Sequence, residues 1–272
     1  IYSPRRRYWS TDMQTTDVLQ YSHLVLALWY PFVRMLSFIH AAPIFDNPSL
    51  SVRIRIILAL GLSIIITPMI HAAVPAGLLT MQMLLLTLEQ IVWGVLFGLT
   101  MQFVFLALQL AGQILSFNMG MSMAVMNDPS SGASTTVLSE FIYIYAALLF
   151  FAMDGHLLMV SILYKGFIYW PIGNALNPQT LRSVALSFGW VLSAAMLLAL
   201  PTTFIMLVVQ MGFGFLNRVS PALNLFSLGF PVNMLAGLCC FAALLYQLPD
   251  HYLQLANAVL HQLDTLRSSY VQ

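Results

Sequence analysis

The residues best equipped for chemistry are Asp154-Gly155-His156, with Glu89, Arg34 and the pair Cys239-Cys240 inside otherwise apolar stretches. A carboxylate beside an imidazole has the composition of a general acid–base pair. Two residues apart on a helix they face different ways, so they meet only if Gly155 breaks the helix. A break also gives Asp154 a plainer task, capping the helix that restarts at Gly155, and at membrane depth an aspartate can relay protons or pair with a cation. No nucleophile or second acid accompanies the pair. Glu89, with Gln90 beside it, is costly in lipid without a partner, and reads either as a contact to a neighbouring subunit or as an interfacial position near a helix start. His23, His40, His71, His251 and His261 share no metal-ligand spacing, and the adjacent cysteines suit neither a disulfide nor a zinc site. No Gly-rich phosphate loop, Gly-x-Ser-x-Gly elbow or His-Glu-x-x-His is present, so the sequence supports no enzyme, cofactor or metal site.

The elements that would hold these residues are set by composition. Of 272 residues, 60% are hydrophobic and 7% charged, against roughly 25% charged in soluble domains. Such a chain cannot cover a water-facing surface and needs lipid or apolar protein as its solvent. With net charge +1 and no basic run after Arg7, nothing grips a phosphate backbone, and nucleic acid is excluded as a partner. The uncharged intervals Arg55 to Glu89, Glu89 to Asp128, Arg182 to Arg218 and Arg218 to Asp250 each exceed the ~20 residues that cross a bilayer core as a helix. Leu24 to Phe45 and Phe141 to Phe167 are also long enough, with Arg34 and Asp154 inside them. Six hydrophobic segments are expected.

These segments differ from plain anchors. Pro31, Pro68, Pro201 and Pro231 fall within or beside them, and each removes a backbone donor whose acceptor then needs a partner within protein. Gly94 and Gly98, and Gly112, Ser116 and Gly120, place small residues four apart, which predicts close helix packing. Loop arginines and lysines do not alternate from side to side, so the charge bias leaves topology open and points to hairpins or re-entrant segments. Residues 1–12, with Arg5, Arg6 and Arg7, read as an extension upstream of a natural start at Met13. At the other end, 249–272 reads as an amphipathic helix with Leu253, Ala256, Leu260 and Leu263 on one stripe, lying on membrane, on a partner or on the protein itself.

The most unusual local run is Phe117 to Met126, in which Met119, Met121, Met123 and Met126 put four of 16 methionines into eight residues. Unbranched, polarizable side chains suit an irregular core or a deformable seal around a moving object. Asn127-Asp128-Pro129-Ser130-Ser131-Gly132 follows as turn chemistry, so a hairpin is expected at 128–134, with Ser134 or Thr135 capping the next helix.

The chain resembles the FliR family of flagellar biosynthesis proteins, whose virulence counterparts are the YscT and SpaR proteins of type III secretion. The resemblance rests on Trp29-Tyr30-Pro31-Phe32-Val33-Arg34, Ala42-Pro43-Ile44-Phe45, Val52-Arg53-Ile54-Arg55, Asn127 to Ala133, Asp154-Gly155-His156-Leu157 and Gly214 to Pro231, in the family's order. It implies an all-α polytopic membrane protein of kinked helical hairpins, packed in a helical hetero-oligomeric export gate. The membrane domain would span 13–248, a FliP-like part followed by a FliQ-like part with a boundary near 170–185. One copy would join several FliP and FliQ subunits, with FlhB alongside, around a channel for unfolded flagellar proteins in the bacterial inner membrane. By the same resemblance Phe117, Met119, Met121, Met123 and Met126 would plug the closed channel, above the core-packing alternative. Asp128, Pro129, Gly132, Asp154, Gly155 and His156 form turn and helix-break motifs. Asn217, Arg218, Pro221, Asn224 and Phe226 read as a clasp between subunits or between the two parts, because Arg218 is a charge that needs acceptors. An injectisome subunit is the alternative within the family, and a proton-coupled secondary transporter using Asp154, Glu89 or Arg34 is the alternative outside it.

Overall fold

A computed structural model describes residues 27–45, 50–70, 81–121, 136–173, 178–219 and 225–271, and among these every regular element is helical. They are α1 (27–41), α2 (Val52–Ile66), α3 (Met81–Asn118), α4 (Val137–Ala152), α5 (Gly155–Tyr169), α6 (Pro178–Val219) and α7 (Leu225–Val271). The six expected segments fall on α1, α2, α3, the pair α4–α5, α6 and α7. Among the described residues four helices are long and apolar enough to cross a membrane, and five spans result if α4 and α5, bent by 77° at their junction, count as one. The fold is thus that of an all-α polytopic membrane protein.

Local chemistry explains several boundaries. Pro68 cannot donate to the α-helical ladder, and α2 passes into a 3₁₀ turn, Thr67–Met69, closed by Ile70 N donating to Thr67 O at 3.2 Å. Thr136 caps α4 by accepting from Ser139 N, one residue beyond the expected Ser134 or Thr135. Pro201, Pro231 and Pro249 lie inside α6 and α7, which continue through them. Beside the first, the buried Thr202 hydroxyl donates to Ala199 O at 2.8 Å.

The chain divides into two compact units, Ile1–Leu99 with Ser161–Leu176, and Thr100–Val160 with Asn177–Gln272. In the first, Gly94 and Gly98 let α3 touch α1: a Cβ at Gly94 would lie 2.7 Å from Ser37 Cβ, and one at Gly98 would lie 2.6 Å from Ala41 Cβ. This is the close packing that four-residue spacing of small residues predicts. Trp93, Phe97 and Trp170 stack beside it, Trp93 and Trp170 with ring centroids 5.1 Å apart.

In the second unit Gly112 admits α4, where a Cβ would lie 2.6 Å from Ile142 Cδ1 and 3.2 Å from Ser139 Cα. The Ser139 hydroxyl donates to Gln109 O at 3.1 Å. Helices α6 and α7 pack along each other. The tail expected as a separate helix over 249–272 is the uninterrupted end of α7. Among the tail residues whose side chains are described, Tyr252, Leu255, Ala256 and Val259 are buried, whereas Leu253 is exposed. The Tyr252 ring, edge-on to Phe105, claims the core direction and turns the stripe from the one expected.

Burial is unequal among the long helices. The apolar window of α3 is 67% buried, that of α6 33% and that of α7 17%. Leu192, Met196, Leu197, Leu200, Phe204 and Met211 of α6 are among the large apolar side chains left open.

Candidate functional site

The described part of the methionine-rich run begins at the C-terminal end of α3, within the second unit. Every helix leaves its last four carbonyls without intrahelical donors, and at an apolar site each needs another partner. All four are answered here. Met119 N donates to Leu115 O (3.0 Å), Met121 N to Ser116 O (3.1 Å) and Gly120 N to Phe117 O (3.0 Å). With Gly120 at φ +82°, this pair of bonds is a Schellman stop, in which glycine supplies the left-handed residue. The fourth carbonyl, Asn118 O, accepts from Gln210 Nε2 of α6 (2.9 Å) and Asn233 Nδ2 of α7 (3.0 Å). The Asn118 side chain donates to Thr203 Oγ1 of α6 at 2.9 Å. Gly120, expected to pack helices, instead ends one.

Met119 is fully buried with Leu115, Leu138, Met206 and Cys240, and Met121, Ala236 and Phe241 pack against that cluster. Its side chain lies on Gly237 of α7, where a Cβ would sit 2.6 Å from Met119 Sδ and 2.9 Å from its Cε. Phe117, by contrast, is exposed. Within this chain Met119 therefore occupies core and Phe117 does not. Met123, Met126, Asp128, Pro129 and Gly132, and with them the hairpin expected at 128–134, lie outside the described residues.

The second predicted motif is a break between helices. Asp154 takes φ +56°, and its backbone carbonyl receives Leu157 N (2.9 Å) and Leu158 N (3.3 Å) as α5 begins. Its carboxylate is exposed, with Oδ1 4.0 Å from His156 Nε2. The bend does bring the acid and imidazole to one turn, yet in open surroundings. Gly155 is required by space: a Cβ there would lie 2.7 Å from Phe150 O.

Asn217 and Arg218 are exposed in the last turn of α6, where a cation complements the negative end of the helix dipole. Phe226 falls in the first turn of α7. Pro221 and Asn224 lie outside the described residues.

Arg34 is the polar residue whose role sequence reasoning missed. Its guanidinium is wholly buried in the first unit, with Nη1 donating to Gly166 O (3.2 Å) and Trp170 O (3.1 Å) and Nη2 to Trp170 O (3.1 Å). It lies 4.4 Å over the Phe167 ring. It thus ties α1 to the C-terminal end of α5 through carbonyls, dipole and cation–π attraction together. A lone arginine in an apolar stretch signals that such acceptors exist, without saying where.

Fold and site together define a class: an integral membrane protein of long apolar helices, several with open apolar faces, and with polar groups spent on joining helix ends. The chain belongs to the bacterial export proteins, family 1, whose sequence profile matches residues 25–259. It is 34% identical over 237 residues to the flagellar biosynthetic protein FliR of Escherichia coli K12, covering 86% of this chain and 89% of that one. It is 33% identical over 229 residues to FliR of Pectobacterium carotovorum, covering 83% and 86%. It is also 26% identical over 238 residues to the surface presentation of antigens protein SpaR of Salmonella typhimurium, covering 86% and 89%.

Proposed function

We propose that this protein is the FliR-type subunit of the flagellar type III export gate, a non-catalytic component that shapes and seals the channel through which unfolded flagellar proteins cross the inner membrane. The observation that carries this reading is family membership across 25–259 joined to FliR-named relatives at 33% and 34% identity. Its seat would be the flagellar basal body, in a complex with FliP and FliQ subunits and FlhB. The open apolar faces of α6 and α7 are compatible with it, since in an export gate sister helices as well as lipid would cover such surfaces. The consecutive FliP-like and FliQ-like parts, meeting near 170–185, belong to the same proposal. So does the clasp at Asn217, Arg218, Pro221, Asn224 and Phe226, in which exposed Arg218 offers its charge to a neighbour.

Within this reading the segment from Phe117 to Met126 is the seal. Phe117 and the methionines beyond Met121 would close the pore, with Met119 as the buried end of the segment. Flexible apolar side chains exclude ions by dewetting and deform around a passing chain. The similarity to SpaR favours an injectisome subunit as a second reading, and its lower identity places it second.

The test is to purify the tagged chain from membranes and delete its gene in the source bacterium. FliP and FliQ should accompany it, and filaments should be lost and then restored by the intact gene. A chain that purifies alone from cells that remain flagellated would overturn the proposal.

A further inference from the structure

We infer that Asn118 and Met119 are positioning residues, a two-part anchor that fixes where the methionine-rich segment leaves α3. The inference rests on the seal reading and adds what holds the seal in place. Two amides from two other helices, in stretches that are otherwise apolar, converge on one carbonyl, that of Asn118. A purely stabilising design would not place them so, because Asn233 keeps its Oδ1 buried without a hydrogen-bond partner, and so does the Ser116 hydroxyl one half-turn away. Buried polar groups left short of partners cost stability, and they are retained where position matters more. Beside this clasp, Gly237 is shaped to Met119, whose side chain fills the space a Cβ would take. Asn233 and Gly237 lie one turn apart on α7, so one face of that helix grips both residues. The clasp sets the direction of the chain, the socket holds its first side chain, and Gly120 directly after them turns the backbone.

The experiment uses the complete assembled complex in membranes. Exposed Cys239 is first replaced by Ser, and Met121→Cys then reports thiol labelling at the start of the segment. Asn233→Leu should raise the labelling rate about tenfold, the population shift expected from losing one part-buried hydrogen bond. Gly237→Ala should expel Met119, giving the same rise together with less assembled complex. Adding Met119→Ala should restore the amount of complex while labelling stays fast, because the collision is gone and so is the knob. An unchanged labelling rate in Asn233→Leu, or failure of Met119→Ala to restore Gly237→Ala, overturns the anchor. Faster labelling with no added ion leak through the resting complex leaves the anchor standing and overturns the seal reading instead.

Discussion

Two breaks in the second unit, the end of α3 at Gly120 and the joint of α4 and α5 at Asp154, use the same backbone device in opposite surroundings. Both residues take positive φ, +82° and +56°. At Gly120 the chain is wrapped by side chains from α6 and α7, and all four terminal carbonyls of α3 are answered. At Asp154 the turn is local, the carboxylate is exposed, and its one ionic neighbour is two residues away. The difference teaches that a turn's conformation comes cheaply from short-range chemistry, whereas its placement against other helices takes long-range contacts. The first break is specified in space; the second is specified mainly in angle, by the room that Gly155 leaves for Phe150.

Four changes test that contrast, each by thermal unfolding of the purified protein in detergent. Gly155→Ala should have the largest effect, about 2 to 3 kcal/mol of destabilisation, because a methyl driven against the Phe150 carbonyl cannot be relieved by a side-chain rotation. An unchanged Tm would mean the joint is looser than its packing implies. Gln210→Leu with Asn233→Leu should cost about 1 to 2 kcal/mol by leaving the half-buried Asn118 carbonyl without a donor. Additive small losses from the two single changes, with no extra penalty in the pair, would argue against a shared acceptor. Gly120→Ala should cost about 1 kcal/mol, the strain of a β-carbon in the left-handed region. Asp154→Asn should shift stability by about 0.5 kcal/mol or less, since an exposed ion pair contributes little and Asn tolerates the same backbone conformation. A loss there as large as that of the amide pair would erase the distinction between the two breaks.

The Asp154-Gly155-His156 joint was legible because it is written in three consecutive residues. The end of α3 was legible only in part. Methionine clustering marked the segment, and Gly112, Ser116 and Gly120 marked a close-packed face, yet the same spacing hid that Gly120 is a stop. Gln210 and Asn233 lie 92 and 115 residues from Asn118. A polar side chain in an apolar helix announces that it needs a partner without naming one. A signal was available in Gly229, Asn233 and Gly237, spaced four apart on one face of α7, which in apolar sequence indicates close approach by another element. Arg34 behaved likewise, its need for acceptors evident and its choice of the Gly166 and Trp170 carbonyls not. For the tail of α7 the period was readable, but the buried face turned on which ring, that of Tyr252, met Phe105.

By itself the sequence determined the solvent, the helical content, the positions of the apolar segments and the family, because charge scarcity, periodicity and motif order are additive properties of neighbours along the chain. Only the tertiary structure decided which faces of those helices are buried, which carbonyl each buried donor serves, and that Met119 enters the core while Phe117 stays outside. Those outcomes depend on residues about a hundred positions apart competing for the same few ångströms, and no local pattern encodes which of them wins.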